Sequence, residues 1–185
     1  GRLVGYNTDS SGFARAIGDL VAGSKHGAVA LIGAGGVGKA IAFALASLGI
    51  AGLNIFDADR VKAEALSSQL QGRLKARVTD DVAGALEGIV GVVNGTPVGM
   101  LPDRGMAVQD ALLHGGLWVA DAVYTPLWTP LLMAAKAKGA SVMTGRDLAV
   151  YQAADAFELF TGLKPPVDVI QNAFDAEMAS RYPAT

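Results

Sequence analysis

The sequence predicts an α/β fold: a doubly wound, mainly parallel sheet with helices on both faces. Three observations predict it. Short apolar or β-branched runs alternate with Ala-rich helical stretches along most of the chain, the order that builds crossover units. Runs such as IVGVVN (89–94) lack polar alternation, as strands covered on both faces do. A cluster of glycines at 33, 35, 36 and 38 lies where the first strand would hand over to the first crossover helix.

Each element follows in order. The helix reading begins at SGFARAIGDLV (11–21), after a loop that ends in GRLVGYNTD, and this first part stands outside the later rhythm. AVALIG (28–33) reads as a buried strand, and KAIAFALASLG (39–49) as a helix closed by Gly49. LNIFD (53–57) is the next strand, and a helix over 60–70 follows, with Asp59 placed to cap it. A weak strand at 76–78, a short helix at 82–86 and the strong strand at 89–94 come next. Residues 116–123 form a further strand. Thr129 starts a helix over 129–139 with Pro130 in its first turn. A last strand covers 140–144, and helices over 147–161 and 167–181 finish the chain.

Composition narrows the function classes. The 185 residues are 51% hydrophobic and 17% charged, which excludes a disordered chain and suffices for a sizeable core. A net charge of −2 excludes a strongly basic nucleic-acid binder. Without Cys there is no disulfide framework, Cys-zinc site or thiol nucleophile, and two His leave little for a metal site. A cytoplasmic location is expected, in keeping with a reducing compartment. Residues 28–53 carry a single charge, Lys39, but six glycines interrupt them, so they read as strand, turn, helix and strand rather than a membrane span. The chain opens on Gly1 rather than Met and is expected to be a fragment or a processed product. Trp118, Trp128, His26 and His114 receive no functional role.

Gly33-Ala34-Gly35-Gly36-Val37-Gly38 matches G-x-G-x-x-G in its required setting, after a strand and before a helix. Gly33 permits the tight turn, Gly35 lets backbone approach a pyrophosphate, and Gly38 allows close helix–strand packing. The first helical N–H groups would face the anion. The fold is therefore Rossmann-like, with NAD as the expected cofactor. Asp57, 24 residues after Gly33, stands at the tip of the second strand. It can accept hydrogen bonds from the adenosine ribose hydroxyls and repel a 2′-phosphate, which favours NAD over NADP. Capping of the next helix is its alternative role. Arg60 and Lys62 nearby leave NADP open, and Lys62 can also lie along the adenosine.

Other segments carry a resemblance. Asn7-Thr8-Asp9 with Gly12-Phe13 resembles the NTDxxGF segment of the shikimate dehydrogenase family. Asn94-Gly95-Thr96-Pro97-Val98-Gly99-Met100 is similar to the family's N-x-T-x-x-G-M loop. Asp121-Ala122-Val123-Tyr124 with Thr129-Pro130-Leu131 resembles its D-x-x-Y…TPLL segment. Tyr151-Gln152-Ala153-Ala154, with Phe157, Phe160, Thr161 and Gly162, is similar to its QAxxxFxxxTG helix. The resemblance spans essentially the whole chain. The Asp57 strand end and the DAVY…TPLL wording look most like the NAD-using quinate/shikimate dehydrogenase branch.

The resemblance implies a reversible hydride transfer between a nicotinamide and a cyclitol acid: shikimate with 3-dehydroshikimate, or quinate with 3-dehydroquinate. It places Asp9 on the Asp of a catalytic Lys–Asp pair. For Asp9 taken alone, a loop cap on the following helix is the alternative. Gln152 falls on a substrate-binding Gln, or else is an exposed helix residue. Tyr124 falls on a site Tyr, or else is a buried structural one. Thr96, Pro97 and Val98 fall on the loop beneath the ribose and nicotinamide, and Gly145 beside the nicotinamide ring, where its alternative is a plain turn glycine.

The resemblance also implies a preceding substrate domain of about a hundred residues, with a Ser-rich substrate loop and the catalytic Lys, both absent from this sequence. Residues 1–23 then read as the crossover from it, residues 24–185 as the dinucleotide-binding domain, and the last helix as packing back against the missing domain. Alone, such a chain binds dinucleotide and turns over little. A non-catalytic NAD(P)-binding module is the rival reading. A methylenetetrahydrofolate dehydrogenase is a third, opposed by the NTD and YQA segments. Shikimate against quinate, and the oligomeric state, stay open.

Overall fold

A computed structural model of the chain describes residues 1–23 and 27–182; His26 lies outside them. The described elements run α1 (Thr8–Ala22), β1 (Ala28–Ile32), α2 (Gly36–Ser47), β2 (Gly52–Phe56), α3 (Arg60–Gln69), β3 (Ala76–Val78), α4 (Val82–Ala85), β4 (Ile89–Asn94), a 3₁₀ turn (Asp110–Leu112), β5 (Trp118–Asp121), α5 (Pro130–Ala137), β6 (Ser141–Met143), α6 (Gly145–Thr161) and α7 (Val167–Arg181). The six strands form one sheet in the order β3-β2-β1-β4-β5-β6. Every pairing is parallel, so the doubly wound reading is borne out.

The continuous apolar strands are explained by two cores. Val29, Leu31, Val93 and Ala120 face one side, where they meet Phe13 and Ile17 of α1, Ile41 and Leu45 of α2, and Leu66 of α3. Ala30, Ile32, Val92 and Val119 face the other side, against Ala85 of α4 and Leu131, Leu132 and Ala135 of α5. Alternate residues of one strand thus enter different cores, and neither face is left to water.

Side-chain caps set several boundaries. Asp59 accepts from the Val61 N–H and starts α3. Thr129 accepts from Leu132 N–H, with Pro130 opening α5. The first helix begins earlier than its hydrophobic pattern predicts: Asn7 accepts from Ser10 N–H, and Thr8 and Asp9 lie in the first turn. Gly49, in the left-handed region, follows the Leu48 cap of α2 rather than being that cap. α1 packs on α6 and α2, while α7 buries no residue and is tied to α6 by Arg146, which donates from Nε and Nη2 to the two Asp175 oxygens at 2.6 Å. Among the described residues no helix is long and apolar enough to cross a membrane.

Candidate functional site

Strand register places the site. Ile32 pairs with Phe56 on one side and Asn94 on the other, and Asn94 pairs with Asp121. The carboxyl ends of β2, β1, β4 and β5 therefore finish level. The ladder continues one residue further: Gly33 N–H donates to Phe56 O (2.8 Å), Gly95 N–H to Ile32 O (2.7 Å) and Ala122 N–H to Asn94 O (2.9 Å). The chain reverses its direction of winding between β1 and β4, and a crevice opens above the strand ends there.

The glycine turn forms the crest of that crevice. Gly33 has φ of +100°, a conformation open chiefly to glycine. A Cβ on Gly38 would stand 2.0 Å from Gly33 O, so α2 meets the turn backbone to backbone. A Cβ on Gly35 would meet nothing within 4 Å. Space thus lies over Gly35, beside the start of α2, whose Gly35 cap offers no side chain to the first-turn N–H groups. Those donors and the helix dipole suit an anion.

Two cavities flank the turn. One, of about 450 Å³, is lined by Gly33, Gly35, Asp57, Lys62, Thr96, Pro97 and Val98, with Met106 and Ala107 behind. The other, of about 340 Å³, is lined by Gly35, Gly36, Val37, Thr96, Pro97 and Tyr124, with Ala122 and Val123. They share Gly35, Gly95, Thr96 and Pro97, so they are two lobes of one crevice. Ala34 and Gly38 stand behind the crest. Ala34 is buried, and its N–H donates to Asp57 Oδ2 at 2.7 Å.

Asp57 is half-buried at the tip of β2, and its Oδ1 also accepts from Asp59 N–H at 2.8 Å. It does not cap α3; Asp59 does. Each carboxylate oxygen keeps a lone pair for a further donor. The neighbouring cations are engaged elsewhere. Arg60 pairs with Glu64 (2.7 Å) and with Asp80, and Lys62 lies 3.4 Å from Asp59.

Tyr124 is 46% exposed and meets Phe174 of α7 edge-on at 5.9 Å, so its alternative as a buried structural Tyr does not hold. A Cβ on Gly145 would lie 2.4 Å from Val123 O, which sets the start of α6 against the wall of the second lobe. Asp9 and Gln152 line neither lobe. They lie where α1 crosses α6: Thr8 Oγ1 donates to Gln152 Oε1 (3.4 Å), and a Cβ on Gly12 would touch Gln152 N at 2.6 Å. Asp9 is half-buried in the first turn, and Asn7 performs the capping.

Sequence reasoning placed Asn94 in one motif and Asp121 with Thr129 in another, but did not join them into the polar cluster beneath the crevice. Asn94, Asp121 and Thr129 are all buried. Asp121 accepts from Asn94 Nδ2 (2.9 Å), Val123 N–H (3.0 Å) and Thr129 Oγ1 (2.7 Å). Burial pushes its carboxyl up from 3.8 to about 6, against the pull of those three bonds. The available signal was a polar residue ending each of two otherwise apolar strands.

The Shikimate 5'-dehydrogenase C-terminal domain family matches residues 145–173, and the ThiF family matches residues 18–80, the span holding the glycine turn and Asp57. The shikimate dehydrogenase (NADP(+)) of Pseudarthrobacter chlorophenolicus is 41% identical over 179 residues, covering 94% of this chain and 61% of that protein. The quinate/shikimate dehydrogenase (NAD(+)) of Corynebacterium glutamicum is 41% identical over 182 residues, covering 94% of this chain and 63% of that protein. The structure of quinate dehydrogenase from Corynebacterium glutamicum in complex with NAD superposes with a TM-score of 0.85 at 37% identity, over 93% of this chain and 63% of that one. The chain thus spans a little over three-fifths of the length of these relatives. Sequence and fold agree over nearly the whole of it: the chain belongs to the shikimate dehydrogenase family.

Proposed function

We propose that this chain is the coenzyme-holding part of an NAD-dependent dehydrogenase that interconverts the ring alcohol and ketone of shikimate or quinate. The single observation that carries the reading is the two-lobed crevice astride a turn where Gly33 and Gly38 have no room for a side chain and Gly35 opens on space. A diphosphate over Gly35 would meet the uncapped N–H groups of α2. The adenosine would lie in the first lobe, its ribose hydroxyls donating to Asp57 while Lys62 lies along it. The second ribose and the nicotinamide would lie over Thr96, Pro97 and Val98, toward Tyr124 and Gly145. When bound, the nicotinamide supplies the site that takes up or releases the hydride.

The chain's own residues then have separate tasks. Asp57 disfavours a 2′-phosphate, because Arg60 and Lys62 are held by Glu64, Asp80 and Asp59. The relatives include both NADP(+) and NAD(+) enzymes, so the coenzyme preference rests on this chain's residues. Gln152 can donate to and accept from a polyol. Asp9 would accept a hydrogen bond from the reacting hydroxyl and hold a lysine ammonium supplied from outside these 185 residues. A cyclitol-binding domain preceding this chain is part of the proposal, and α7, none of whose residues is fully buried here, would pack against it.

Calorimetric titration tests the coenzyme half, and shikimate- or quinate-dependent reduction of NAD by the two-domain polypeptide tests the chemistry. NADH should bind more tightly than NADPH. Asp57→Ala should narrow the gap by about tenfold, the worth of one charge-assisted hydrogen bond. Equal affinities in the unaltered chain would remove Asp57 from the argument, and inactivity with both cyclitol acids would refute the substrate assignment.

A further inference from the structure

We propose that Asp121 is a positioning residue for the coenzyme crevice, holding the walls of the second lobe through Asn94 and through the Val123 amide. It rests on the coenzyme reading above but assigns a role to a residue that lines neither lobe.

All three partners of Asp121 offer it hydrogens: the Asn94 amide at 2.9 Å, the Val123 N–H at 3.0 Å and the Thr129 hydroxyl at 2.7 Å. An ionised carboxylate, which only accepts, matches all three. This match fixes the way Asn94 faces. Its Nδ2 turns to Asp121 and to Val98 O (3.1 Å), so its Oδ1 must turn to Thr96, accepting from the backbone N–H (3.0 Å) and the hydroxyl (2.6 Å). Thr96 Oγ1 in turn accepts from Val98 N–H at 3.1 Å. Reversing the Asn94 amide would set oxygen against oxygen at Asp121 and at Val98, and NH₂ against the Thr96 N–H, leaving only the Thr96 hydroxyl able to turn and accept. The orientation of one buried amide is therefore tied to the path of residues 95–98, and Asp121 holds that orientation together with Val98 O and the Thr96 N–H.

The same carboxylate oxygen that receives Asn94 also receives Val123 N–H. Two walls of the second lobe, Thr96–Pro97 and Ala122–Tyr124, thus hang on one atom, while Gly35–Val37 form a third. Leu101 N–H donating to Thr125 O at 2.8 Å joins the two loops again further out. The first lobe is built differently. Only one of its walls contains Thr96 and Val98; the other, with Asp57 and Lys62, has no bond to this cluster. Loss of Asp121 should accordingly be felt more on the nicotinamide side than on the adenosine side.

The test uses Asp121→Asn and Asn94→Ser in the 185-residue chain, with NADH and ADP titrated by calorimetry and folding checked by circular dichroism. Each variant should bind NADH about tenfold more weakly, as for one charge-assisted hydrogen bond lost, and ADP no more than about threefold more weakly. The double variant should be no worse than the weaker single one, because the two residues act in one chain of bonds. Asp121→Asn combined with Asp57→Ala should instead be additive. Equal losses for NADH and ADP would overturn the proposal, as would unchanged NADH binding or additivity with Asn94→Ser. Should Asp121→Asn fail to fold, Asn94→Ser alone decides by the same NADH-to-ADP ratio. An unaltered chain that binds no NADH would overturn the coenzyme reading and this role together; a binding chain with unaffected variants would overturn this role alone.

Discussion

Asp121 shows how one buried residue couples stability to pH. Its carboxyl stands at about 6 in the folded chain against 3.8 for an ordinary Asp, because burial penalises the charge more than three hydrogen bonds offset it. Its hydrogen-bond partners are an amide, a hydroxyl and a backbone N–H, none of them charged. The folded state therefore binds the proton more tightly than the unfolded state. The stabilisation from that proton is complete below about pH 4 and is lost as pH rises through about 6, a total of about 3 kcal/mol for two units of displacement. Asp121→Asn cannot titrate. The stability of the unaltered chain minus that of Asp121→Asn should fall by up to about 3 kcal/mol between pH 4 and 7, read from urea unfolding. A difference that stays flat with pH would show that this carboxyl carries no such linkage.

At the scale of elements, the start of α2 separates packing from binding within four residues. Gly38 is a packing glycine, with Gly33 O standing 2.0 Å from where a Cβ would be, whereas Gly35 faces open space. Gly38→Ala should destabilise the chain by roughly 1–3 kcal/mol through overpacking. Gly35→Ala should cost less than about 1 kcal/mol as a helix cap yet weaken NADH binding at least about tenfold by filling the crevice. Denaturant melts and titrations of both variants would expose a reversed pattern. This turn was legible in the sequence because glycine spacing records steric demands directly. Strands β3 and β4 both fall on the residues expected, β4 because an apolar run with turn residues before it marks itself, β3 in spite of Arg77 at its centre. The start of α1 was not. Its core-facing residues begin at Gly12 and Phe13, while the cap at Asn7 lies outside that periodicity. The Asn94–Asp121–Thr129 cluster was also hidden, because its members are far apart in sequence and only strand register brings them level. Met106 and Ala107 reach the first lobe from an irregular loop, where no periodicity points.

On the proposed reading, the molecule as a whole divides coenzyme holding from proton handling. The residues proposed to hold the dinucleotide lie along the strand ends from β2 to β5, on the first turns of α2 and α3, and on the start of α6 beside them. Asp9 sits elsewhere, on the first turn of α1, beside Thr8 and its bond to Gln152. Around this region and the far end of α6 the surface is unusually apolar, with Leu3 fully exposed and Tyr6, Phe160 and Leu163 largely so. Such a surface suits coverage by further protein, in keeping with relatives of which the matched span makes up only 61% and 63%. If Asp9 handles the substrate proton there, its removal should leave the coenzyme undisturbed. In the two-domain polypeptide, Asp9→Asn keeps the size and the local helix start, since Asn7 supplies the cap. We predict that it lowers kcat for cyclitol oxidation by about 100-fold or more, within the usual range for a lost general acid–base group. NADH affinity and thermal midpoint should stay near those of the unaltered protein. Asp9→Glu should restore part of the rate, because the carboxylate returns on a longer arm. A rate unchanged in Asp9→Asn would remove Asp9 from the chemistry, and a parallel loss of NADH binding would place it in the coenzyme site instead.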